Sequence, residues 1–159
     1  MHVDGYTIPN YLIHKLQKIL NSAARFIFGL YGQRRSRYHI SPYLKYLHFL
    51  PVFYRIKYKT AILTYNCIHG FAPKYLCELI DLRNNDSEYY LRSYDDNLLL
   101  KRKYTHYVKC ESAFSVAAPK IWNELPYSLR SCNNVNNFKS NLKTYYFNIA
   151  FSDTPDIIP

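Results

Sequence analysis

The 159-residue sequence predicts a mainly α-helical fold: a single small domain of five or six helices, with at most a short strand element near residues 98–108. Three observations predict it. Apolar residues recur at three- and four-residue spacing in several long segments. Residues that open and close helices bracket those segments. Finally, 48% of the chain is apolar and 20% charged, a balance that supports a core and excludes compositional disorder. The length suits one domain, with a lead-in over 1–15, a helical domain over 16–151 and a frayed tail over 152–159.

Asn10 follows Pro9 and can cap a helix running from Tyr11 to about Phe28. On a helical wheel Leu12, Leu16, Ile19, Leu20, Ala23, Phe26 and Ile27 share one face, with His14, Lys18, Asn21 and Arg25 opposite. Gly29 and Gly32 can end that helix. Ser41-Pro42 reads as N-cap and first turn of a short helix through Leu47. Pro51 can open the next helix, which should run to His69 and stop at Gly70. It carries two apolar stripes, Val52, Phe53, Ile56, Leu63 and Cys67 on one side and Tyr54, Tyr58, Ala61 and Tyr65 on the other, with Arg55 and Lys59 between. A helix apolar on two sides is expected at the centre of a fold. The tyrosine stripe could stack bases, but aromatic residues at helical spacing more often pack in a core.

Beyond the Ala72-Pro73 turn, Lys74 to Leu82 reads as a short helix and residues 83–97 as a polar loop. Leu98-Leu99-Leu100 before Lys101-Arg102-Lys103-Tyr104 resembles a strand more than a helix. Ser112 to Leu125 is apolar but interrupted by Pro119, which predicts two short helical pieces. A last helix starts near Asn134, with Val135, Phe138, Leu142, Tyr145, Tyr146 and Ile149 inward. The expected core is Leu16, Leu20, Ile27, Leu47, Ile56, Leu63, Phe114, Trp122, Phe138 and Leu142.

The aromatic content is tilted toward tyrosine: 18 Tyr, 9 Phe and 1 Trp, which an AT-rich coding sequence would also produce. The net charge of +10 is uneven. Residues 1–80 carry 11 Lys/Arg against 2 Asp/Glu, and residues 81–159 carry 10 against 9. A basic half points to a polyanionic partner or to solubility by charge. Met1-His2-Val3-Asp4 has no basic n-region and no apolar h-region follows, so no secretory signal is expected. No apolar run approaches the roughly 20 residues of a membrane span. The cysteines at 67, 77, 110 and 132 form no CxxC and, in an intracellular chain, should be reduced thiols.

Catalytic constellations do not assemble. Ser93-Tyr94-Asp95-Asp96 resembles the Tyr-x-Asp-Asp hairpin of reverse transcriptases, but Ser93 occupies the tyrosine's place and the flanks are polar where a buried strand is needed. Cys67, His69 and the later Cys77 invite a zinc reading, yet positions two apart on a helix point about 200° from each other. Phosphate-binding glycine motifs and HExxH are absent, and Ser115 lacks a nucleophile elbow, so neither cofactor nor metal is expected. What remains is basic: Arg34, Arg35 and Arg37 beside Tyr38, and Lys101, Arg102 and Lys103 beside Tyr104. Arginine can hold phosphate bidentately while a ring stacks on an unpaired base. The same residues could equally be a solvated loop or a nuclear-import-like stretch.

Several segments, taken in order, resemble a known family: LQKILNSAARFIFG (16–29), YLKYLHFLPVFYRIKYKTAILTYNCIHGFAPKYLCELI (43–80), LRS (91–93), SAFSVAAPKIWNELPYSLRS (112–131) and NNFKSNLKTYYF (136–147). Together they resemble the extreme C-terminal region of the reverse transcriptase (RNA-directed DNA polymerase) polyprotein of LINE-type non-LTR retrotransposons, in the chicken-repeat and Jockey-like group. The resemblance covers residues 16–151, and the spaced pair LHFLPVFYRI…LTYNCIHGFAPKYL and FSVAAPKIWNELP carries it. The chain departs from the family at Phe49, where Trp is usual, and at Cys110 and Ser112, where Gly and Arg are usual. In that family the polymerase and endonuclease lie upstream. The resemblance therefore implies a non-catalytic appendage that binds RNA or single-stranded DNA, or the rest of the polymerase. A packing or interaction module and a remnant reading frame without a selected role are the other readings at this point.

Overall fold

A computed structural model of the chain describes residues 9–30, 39–82, 98–101 and 113–154. Among these residues it is mainly helical. The elements are α1 (Asn10–Ile27), α2 (Ser41–Tyr46), α3 (Val52–Ile68), α4 (Lys74–Cys77), α5 (Phe114–Asn123), α6 (Tyr127–Arg130) and α7 (Val135–Phe151). The chain divides into two compact units, Met1–Ile8 with Lys59–Asn141, and Pro9–Tyr58 with Leu142–Pro159. Both α3 and α7 contribute residues to each.

In the Lys59–Asn141 unit the core is aromatic. Tyr65 of α3 stacks on Phe138 of α7, with ring centroids 4.4 Å apart and planes at 19°. Trp122 of α5 closes the group, 5.8 Å from Phe138 and 6.5 Å from Tyr65. All three side chains are buried, and so are Ala61 of α3 and Ala117, Ala118 and Ile121 of α5. Tyr65 and Ala61 therefore make the tyrosine stripe of α3 a packing surface. The Tyr65 hydroxyl is buried with no hydrogen-bond partner among the described residues.

Polar side chains fasten the irregular backbone of this unit. Asn123 receives the Leu99 amide on Oδ1 and donates Nδ2 to the Leu99 carbonyl, each at 2.9 Å. Leu99 is thereby held as if paired to a strand. The strand expected near 98–108 is, in the described part, one antiparallel bridge between Leu82 and Leu99; residues 102–108 lie outside the described segments. The helix expected over 74–82 stops at Cys77, because Asp81 and Leu82 run alongside Leu99 and Leu100, with the Leu100 amide donating to the Asp81 carbonyl. The two pieces expected around Pro119 are one helix, α5. Pro119 sits just past its first turn, where the missing N–H removes a single ladder bond.

In the Pro9–Tyr58 unit, Ala24, Leu44 and Phe151 are buried, with Leu20, Ile40, Leu47, Phe49 and Phe147 packed around them. Phe28 contacts Tyr43 and Tyr46 edge-on, at 4.8 and 5.7 Å. The Val52 amide at the start of α3 donates to Gln17 Oε1 of α1 at 2.8 Å, and Lys45 Nζ donates to the Thr154 carbonyl at 2.9 Å. Gly29 at φ +65° ends α1 and lets the Leu30 amide reach back to the Arg25 carbonyl.

The expected core needs one correction. Trp122, Phe138 and Leu142 are buried, and Leu20, Leu47, Ile56, Leu63 and Phe114 are half-buried. Leu16 and Ile27, however, are 46% and 56% exposed. The inward face of α1 is Ile13, Gln17, Leu20, Asn21, Ala24 and Phe28, rotated by about 100°, one residue's step, from the apolar arc. The reason is local. Ala24 is small enough for α2 and the end of α7 to approach closely, and Gln17 is required inside to cap α3.

Two substitutions check this core. Trp122→Ala should cost about 3–5 kcal/mol, read from urea midpoints, because the large ring leaves a cavity that its neighbours cannot fill. Tyr65→Phe should leave stability unchanged or raise it by up to about 1 kcal/mol, since it deletes an unsatisfied buried hydroxyl and keeps the stacked ring. A loss above that figure would show that the hydroxyl has a partner.

Candidate nucleic-acid interface

Of the residues the sequence marks for nucleic acid, Lys101 lies in the described structure. Arg34, Arg35, Arg37, Tyr38, Arg102, Lys103 and Tyr104 lie outside it, as do Asp95 and Asp96. Lys101 is exposed and follows the Leu99–Leu100 segment that Asn123 and Asp81 hold. In chain order the arginine cluster stands between α1 and α2, and the second cluster between Leu100 and α5.

The charge asymmetry of the sequence persists, in milder form, among the described residues of the two units. Among the described residues of the Pro9–Tyr58 unit, Lys15, Lys18, Arg25, Lys45, Arg55, Lys57 and Lys143 are set against one carboxylate, Asp153. In the other unit Lys59, Lys74, Lys101, Lys120, Arg130 and Lys139 face Glu78, Asp81 and Glu124. Not all of these cations are available. The Arg130 side chain is buried and its Nε donates to the Leu125 carbonyl, and Lys74 lies 3.9 Å from Glu78. The Lys57 ammonium sits 5.1 Å over the Phe53 ring and that of Lys15 5.7 Å over Tyr11.

One surface escaped the sequence reading. Past α3, Gly70 at φ +72° turns the chain so that the Phe71 amide bonds back to the Asn66 carbonyl, and Phe71 projects outward. Phe71 is 72% exposed and Tyr75 68%. His69, also exposed, stacks near Phe71 at 6.4 Å. These rings leave π-faces in water on one turn. The signal was present in HGFAPKYL, where a glycine and a proline force a tight exit, but no periodicity marks an outward-facing ring.

A cleft of about 320 Å³ in the same unit is lined by Cys67, Ile68, Cys77, Ile80, Asp81, Leu82 and Leu99. Burial, and secondarily the neighbouring Cys77, push the Cys67 thiol up to about 11. The Cys77 thiol donates to the Ala72 carbonyl at 3.5 Å. A thiol so raised stays protonated at neutral pH and is a poor nucleophile and ligand. The described residues contain no group of three His, Cys, Asp or Glu placed to hold a metal ion. They also contain no helix long and apolar enough to cross a membrane. No protein-family model, curated protein or solved structure matches the chain.

The raised thiol sets a pH window. The fold keeps Cys67 protonated above its ordinary value of 9.0, so its contribution to stability is complete below about pH 9 and is lost as pH rises through about 11. Burial raises the Tyr58 and Tyr65 phenols in the same sense. The urea midpoint should therefore stay level from pH 7 to about 9 and fall above it, less steeply in Cys67→Ala. A midpoint unchanged at pH 11 would contradict the burial of this thiol.

Proposed function

We propose that this chain is a non-catalytic nucleic-acid-binding region of the kind found at the C-terminal end of non-LTR retrotransposon reverse transcriptases, and that it binds RNA or single-stranded DNA with little sequence preference. The concentration of cations in the Pro9–Tyr58 unit carries the reading. A surface with so few carboxylates attracts a polyanion at long range, and counterion release supplies affinity without base recognition. The sequence adds Arg34, Arg35 and Arg37 between α1 and α2, with Tyr38 next in order. Lys101, Arg102 and Lys103 with Tyr104 form the second basic group. The exposed rings of Phe71 and Tyr75 supply stacking faces. The order and spacing of the family-like segments support the placement in a retrotransposon polyprotein, and with it a role that leaves polymerisation to other parts of that protein.

Two sets of variants separate the two kinds of contact. Affinity for a labelled single-stranded oligonucleotide should fall steeply with salt, with a log–log slope near −0.7 per phosphate contact. Replacing Arg34, Arg35 and Arg37 with Ala should flatten that slope by about two units. Phe71→Ala with Tyr75→Ala should instead weaken binding at every salt concentration by roughly 1–3 kcal/mol per stacked base and leave the slope alone, because stacking releases no counterion. Coincident slopes for the arginine triple variant and the unsubstituted chain would reject the arginine cluster as a phosphate track. Weak binding by all variants would favour an interaction module.

A further inference from the structure

The cleft beside α4 holds two thiols in contact. Cys67, near the end of α3, is buried, and Cys77, the last residue of α4, is half-buried; both line the cleft with Ile80, Leu82 and Leu99. The two thiols are hydrogen-bonded to each other. Cys77 gives its proton to the Ala72 carbonyl at 3.5 Å, so within the pair Cys67 is the donor and the Cys77 sulfur the acceptor. Backbone bonds fix the turn that brings them together. The Phe71 and Ala72 amides both donate to the Asn66 carbonyl, at 2.8 and 3.2 Å, and the Gly70 amide donates to that of Cys67 at 3.3 Å. Sulfurs already in contact need only a small side-chain shift to bond. Asp81 lines the same cleft, but the described residues form no three-ligand group, so the donor set suits thiol chemistry better than a metal ion.

We propose that Cys67 and Cys77 are a redox-active pair that a low-molecular-weight disulfide, such as glutathione disulfide, converts reversibly into an intramolecular disulfide. Cys77 is the entry point, because it is the more exposed of the two. Its thiolate attacks one sulfur of glutathione disulfide and forms a mixed disulfide. One glutathione thiolate leaves and takes up the proton that Cys77 has lost. Cys67 then gives its proton to solvent and attacks the Cys77 sulfur, and the second glutathione leaves as a thiolate that solvent protonates. In all, two protein thiols lose two electrons, and one glutathione disulfide gains them as two glutathione molecules. Burial makes the Cys67 thiol hold its proton tightly, so the second step is the slower one.

The bond encloses residues 68–76, which include Gly70 and both exposed rings, Phe71 and Tyr75. It ties the end of α3 to α4 and fastens the aromatic turn at its base, whether or not that turn meets a nucleic acid. The folded chain holds the two sulfurs together, whereas the unfolded chain brings them together only as often as a loop of that length closes. The fold therefore favours the disulfide, and by the same thermodynamic cycle the disulfide favours the fold.

Mass spectrometry of tryptic peptides tests this, because Lys74 separates the two cysteines: the disulfide joins peptide 60–74 to peptide 75–83, each with one cysteine. The whole chain, equilibrated at mildly alkaline pH with graded mixtures of reduced and oxidised glutathione, then acid-quenched and alkylated, should yield the joined pair, and dithiothreitol should undo it. The equilibrium constant against glutathione should be at least about tenfold larger for the native chain than in about 8 M urea. At early times Cys77 should carry glutathione before the joined pair appears. Cys67→Ser should stop at that stage, and a Cys77→Ser chain with unchanged far-UV circular dichroism should leave Cys67 unmodified. Equal constants in buffer and in urea overturn the proposal, a result that requires no variant to fold. So does a native chain that stops at the mixed disulfide, or one that joins Cys67 or Cys77 to Cys110 or Cys132 instead. Glutathione on Cys67 of the folded Cys77→Ser chain overturns it equally.

Discussion

The stack of Tyr65 on Phe138, closed by Trp122, is the contact on which the Lys59–Asn141 unit depends. It joins α3, α7 and α5, which are distant in sequence, through three side chains with almost no exposed surface. Aromatic rings contribute here twice, through the apolar area they bury and through the geometry of their faces. Ala61, Ala117 and Ala118, on two of the same helices, are fully buried, and a larger side chain at any of them would overpack the core. The unsatisfied Tyr65 hydroxyl shows that this packing outweighs one orphaned polar group.

Around both cores the backbone is fastened by amide side chains. Asn123 supplies the donor and acceptor that a neighbouring strand would have supplied to Leu99, and Gln17 does the same for one amide at the head of α3. A short helical protein has many helix ends and therefore many backbone groups needing partners. Asn and Gln, each with a donor and an acceptor on one planar group, meet that need without adding charge. This economy leaves the cations of the chain largely for the surface, where the Pro9–Tyr58 unit carries them with a single described carboxylate.

Two surfaces then stand apart from the cores. The turn after α3 exposes Phe71 and Tyr75, and α1 exposes Leu12, Leu16, Ile19, Phe26 and Ile27. They differ in chemistry. The first is aromatic and the second mainly aliphatic.

The helical character, the two-sided burial of α3, the entry of Trp122 and Phe138 into the core and the basic first half were legible in the residues, because period, capping and charge are local properties of the chain. Pro119 misled, since its effect depends on how far it lies from the helix start. The stop of α4 at Cys77 depends on the pairing of Leu82 with Leu99, seventeen positions away. The outward turn of Phe71 depends on the backbone angle at Gly70. The face of α1 is the plainest case. Hydrophobic period established that it is an amphipathic helix and which arc is apolar. Only tertiary structure decided that its own unit would take the arc containing Gln17 and Ala24, because close approach favours a small side chain and the head of α3 needs an acceptor.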